Sequence, residues 1–120
     1  KCLWLIEVKD YRSDRRTKEI YLWDEVALKT RDTLAGLVAA KMATDHSEHG
    51  LAKELLKAAK IRVVLHLEQP AMHTKLFPRV FDLSKVRQKL RQILKPIDAH
   101  PMVTEISHGN AAFWAVSSVP

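Results

Sequence analysis

The chain has 120 residues, 47% of them hydrophobic, which fits one domain with one core and excludes a chain too polar to fold. Its one cysteine, Cys2, excludes an internal disulfide and a Cys-based zinc site, so a reducing, cytoplasmic setting is expected. No apolar run approaches the roughly 20 residues of a membrane span, and a net charge of +6 favours polyanions, whose bound counterions are released when cations neutralise their phosphates.

The chain opens without Met in an apolar run, so upstream sequence is expected to be missing from a single domain spanning 1–120. Residues 3–10 read as a strand, with no Gly or Pro and apolar side chains on both faces, as suits a central strand covered on both sides. A basic connector, 11–18, leads to a long helix over 24–43 with Asp24 as its N-cap. A turn over 44–50 precedes a shorter helix over 51–60 that buries Leu51, Leu55 and Ala59. Residues 61–68 form the second strand, stopped by Pro70. Strand, helices and strand make a β-α-β unit with a parallel crossover. After an irregular stretch over 69–81, Asp82 or Ser84 caps a third helix, where Leu83, Val86, Leu90, Ile93 and Ile97 step by three and four and Pro96 marks the end. Residues 102–107 and 113–119 are strand-like around Gly109-Asn110, which predicts a C-terminal hairpin.

Side chains of a strand alternate between faces, so Leu3, Leu5, Glu7 and Lys9 share one face and Trp4, Ile6 and Val8 the other. Glu7 and Lys9 lie at the carboxyl end, where open α/β sheets bind ligands. The plain alternative is a salt-bridged pair where the strand meets water. The run Leu-Ile-Glu-Val-Lys-Asp-Tyr-Arg, with its basic connector and long helix, resembles the PD-(D/E)XK nuclease superfamily over the first half of the chain. That resemblance implies a restriction-endonuclease-like fold, a central mixed sheet flanked by helices with a C-terminal hairpin. It implies DNA phosphodiester hydrolysis with Mg²⁺ or Mn²⁺. Glu7 and the Val8 carbonyl would hold the metal, and Lys9 would be the catalytic lysine. The family's Asp on a preceding strand has no counterpart among the six residues before Glu7.

Arg12, Arg15, Arg16 and Lys18 follow the motif and are the candidate contacts to a DNA backbone. Lys85, Arg87, Lys89, Arg91 and Lys95 on the third helix read as a solvated face. Glu68, at the end of the second strand, is a candidate accessory acid, with strand-end solvation as the alternative. His66 reads as a satisfied strand imidazole, and His46 with His49 lacks further ligands for a metal. Three glycines leave no P-loop or dinucleotide fingerprint. Two other functions fit the same residues: an inactive nucleic-acid-binding module on this fold, and a protein-interaction domain of a larger assembly. The oligomeric state stays open, a homodimer included.

Overall fold

The computed structural model describes residues 1–13, 16–70 and 81–106. The unbroken apolar start of the chain forms strand β1 (Cys2–Asp10). Helix α1 (Leu22–Met42) is rich in Leu, Ala and Lys, all good helix formers. It starts after Tyr21, whose side chain makes no capping hydrogen bond, so the expected cap Asp24 lies instead inside the first turn. There Asp24 and Glu25 face the positive end of the helix dipole. Helix α2 (His49–Leu55) begins and ends earlier than its hydrophobic spacing predicts. As a result Ala52 is its buried residue, Leu51 is 55% exposed and Ala59 falls outside it.

Strand β2 (Lys60–Glu68) follows, then helix α3 (Leu83–Leu94) and strand β3 (Met102–Thr104). Asp82 caps α3 as expected, its Oδ1 accepting from the Ser84 N–H at 3.0 Å. Gln69 ties the two ends of the intervening connection: its amide donates to the Phe81 carbonyl and accepts from the Phe81 N–H, both at 2.9 Å.

The strands run parallel in the order β1-β2-β3. β1 and β2 are paired along their length, from Cys2 with Lys60 to Asp10 with Glu68. Both crossovers step the same way across the sheet, so crossovers of one hand put α1 and α3 on one face. Leu22 and Val26 of α1, Val63, Leu65 and Leu67 of β2, Leu90 and Leu94 of α3, and Val103 of β3 join in one core. The α/β class and the β-α-β unit therefore stand.

Two expectations for the sheet change. The centre of the described sheet is β2, and β1 has β2 as its partner among the described residues. The second face of β1 is open, with Ile6 44% and Val8 62% exposed. Apolar side chains on both faces suit burial but do not specify how many strands pair alongside. Likewise residues 102–104 form a third parallel strand against β2. The other limb of the expected hairpin and its Gly109-Asn110 turn lie outside the described residues.

Candidate nucleic-acid interface

Glu7 and Lys9 pair in register with Leu65 and Leu67, so both point to the helix-covered face. They meet the first turns of α1 there, where Glu25 and Lys29 are four residues apart and therefore share a helix face. The four side chains close a ring of alternating charge. Lys9 Nζ lies 3.4 Å from Glu7 Oε1 and 2.9 Å from Glu25 Oε1. Lys29 Nζ lies 2.9 Å from Glu7 Oε1 and 3.7 Å from Glu25 Oε1.

The connector adds two cations to the same carboxylate. Lys18 Nζ donates to Glu25 Oε1 at 2.6 Å. Arg16 lies against Oε2 and also donates to the Tyr11 hydroxyl and the Ile20 carbonyl, each at 2.9 Å. Glu25 is buried, which by itself raises its pKa. The hydrogen bonds from Lys18, Lys9 and Arg16 outweigh that burial and hold its carboxyl well below the usual range. Lys9 is pushed the opposite way: burial opposes its charge, yet its bonds to Glu25 leave its pKa raised. Four cations thus surround two carboxylates, leaving two positive charges in excess, with Lys18 and Lys29 reaching solvent.

Of the expected site residues, Glu7, Lys9, Arg16 and Lys18 come together here. Arg12 does not join them: its guanidinium grips Asp10 at 2.7 Å. Arg15 lies outside the described residues. The Val8 side chain points to the open face, with its backbone in the ladder beside His66. Glu68 pairs in register with Asp10, which puts it on the face opposite Glu7. There its Oε1 accepts from the Ile106 N–H at 2.6 Å and faces His66 Nε2 at 3.1 Å. His66 is buried, and its Nδ1 is 2.8 Å from Thr104 Oγ1.

Neither Glu25 nor Lys29 is among the candidate residues read from the sequence. The spacing of Glu25 and Lys29 was the available signal, since a carboxylate four residues before a lysine marks a charged helix stripe. Among the described residues, no three His, Cys, Asp or Glu side chains group to hold a metal ion.

The chain is 37% identical, over an alignment of 126 positions, to a cysteine–tRNA ligase of Neisseria meningitidis. The match takes in 90% of this chain, which spans 18% of the length of that relative. No family model matches the chain, and no solved structure matches it. The similarity overturns the nuclease reading. A likeness over nine tenths of the chain outweighs one carried by a short Glu-Val-Lys pattern in its first half. Physically, that triplet also suits an ion-paired strand end, and Glu7 and Lys9 are here built into a charged ring.

Proposed function

We propose that the chain is part of an aminoacyl-tRNA-ligase-related protein, in which it binds tRNA through the cationic end of β1. The similarity to a cysteine–tRNA ligase is the observation that carries this reading. The net charge of +6 and the excess of cations around Glu25 support it. Lys18 and Lys29 present ammonium groups to solvent while Glu7 and Glu25 hold them in place. Such groups neutralise backbone phosphates without reading bases. The proposal gives the chain a share in tRNA binding and no chemical step, and none of it runs through a metal.

The test is the salt dependence of binding to a tRNA transcript, comparing the unmodified chain with a Lys18→Ala/Lys29→Ala variant. Each phosphate contact contributes about 0.9 to the slope of log affinity against log salt on duplexes and about 0.7 on single strands. Loss of both lysines should therefore make the slope shallower by between one and two, with folding unchanged by circular dichroism. An identical slope in the variant would remove the β1 end as the binding surface.

A further inference from the structure

A second cationic feature lies at the β3 end of the described sheet, where α3 and β3 border a cleft of about 330 Å³ lined by Arg62, Arg87, Arg91 and His100. We infer that this cleft is a phosphate-binding site, separate from the ring around Glu25. The ligand class is a phosphate or pyrophosphate group, free or carried on a nucleic acid.

Helix α3 divides its basic residues between two flanks. Its buried stripe is Val86, Leu90 and Leu94. On one flank, Lys85 and Lys89 each lie 5.9 Å from the centre of the Trp23 ring, which itself stacks on Tyr21. On the other flank, Arg87 and Arg91 stand one helical turn apart and line the cleft. Among the described residues, neither of these two arginines makes a hydrogen bond, ion pair or ring contact.

A solvated helix face would end the matter there, but a third guanidinium reaches the same cleft from the sheet. Arg62 belongs to β2, and its side chain is fixed from three sides. Its Nη2 donates to the His100 carbonyl at 3.2 Å, its Nε lies 3.4 Å from Asp98 Oδ2, and its guanidinium carbon sits 5.6 Å from the centre of the Trp4 ring. Asp98 lies beside Arg62, and its oxygens already accept from the Val63 N–H at 2.8 Å and the His100 N–H at 2.9 Å. Among the described residues three guanidiniums and no carboxylate line the cleft, which leaves an excess of positive charge facing a concave space. Planar guanidinium forks match the oxygens of a phosphate, and a dianion would balance that excess.

The inference does not rest on the tRNA reading, so it is tested first with inorganic pyrophosphate, by calorimetric titration of the 120-residue chain. Saturable binding is expected. An Arg87→Gln/Arg91→Gln variant should weaken it by about tenfold or more, roughly 1.4 kcal/mol, and both positions are exposed enough to leave the fold intact. The Lys18→Ala/Lys29→Ala variant should bind pyrophosphate as the unmodified chain does. No saturable binding, or equal affinity in the Gln variant, would overturn the site. A competition arm identifies the source of the phosphate. Displacement of tRNA by pyrophosphate assigns the cleft to the RNA backbone, and tRNA binding undisturbed by saturating pyrophosphate assigns it to a free phosphate ligand; both outcomes support the site. Failure of the tRNA reading would show as no tRNA binding by any variant, with the pyrophosphate result unaffected.

Discussion

Replacing Glu25 by Ala is expected to destabilise the fold by about 3 kcal/mol and lower its melting temperature by about 10 °C. The size follows from what the carboxylate holds. Lys9 and Arg16 are largely buried against it, and removing it leaves both cations desolvated with one strong partner fewer. Lys18 and Lys29 turn to water at little cost, which keeps the effect at the lower end for a buried ion pair. The same group predicts an acid dependence. Its ordinary pKa of 4.5 is lowered in the folded chain. The stabilisation is therefore complete above the unfolded-state value and is lost as pH falls through the folded-state value. Denaturant midpoints measured from neutral pH downward should show the unmodified chain converging on Glu25→Gln below about pH 5. A gap between the two that stays constant into acid would mean that Glu25 does not anchor the network.

Leu90→Ala should cost about 3 kcal/mol, within the range found when buried leucines are cut back to a methyl group. Leu90 has no exposed surface and joins the core that α1, α3 and the sheet share. Removing its side chain leaves a void between α3 and the strands, which close packing cannot readily refill. Urea unfolding should show a lower midpoint with an unchanged slope. Leu51→Ala is the contrasting variant: at 55% exposure it should shift stability by no more than about 0.5 kcal/mol. A loss at Leu90 as small as that at Leu51 would show that α3 is not packed as described.

The contrast between those two leucines shows how far local pattern carries. The stepping of Val86 and Leu90 through α3 is long enough to define a face, and Asp82 supplies a recognisable start. Leu51 and Leu55 offer too short a run to set the rotation of α2, and the helix settles with Ala52 inward. Strand parity correctly put Glu7 and Lys9 on one face. It could not reveal that β2, not β1, occupies the middle of the described sheet, because neighbour number depends on long-range pairing. The site was half readable for the same reason. Lys9, Arg16 and Lys18 were singled out as charges near a strand end, but their common partner Glu25 lies on an element whose docking no local pattern specifies. Arg62 was missed because a lone arginine in a strand carries no motif. The cleft exists only once α3 and β3 are placed beside it. The three-residue motif misled because its chemistry, a carboxylate beside an ammonium, serves ion pairing as well as catalysis.

Competition binding tests the central claim most directly: a labelled tRNA transcript is bound to the 120-residue chain at about 50 mM salt and challenged with unlabelled tRNA or duplex DNA of equal phosphate content. If the chain is a tRNA-engaging segment, tRNA should compete at lower concentration than the duplex, and the complex should dissociate as salt rises toward about 200 mM. Absence of tRNA binding at the lower salt, or more effective competition by duplex DNA, would contradict it.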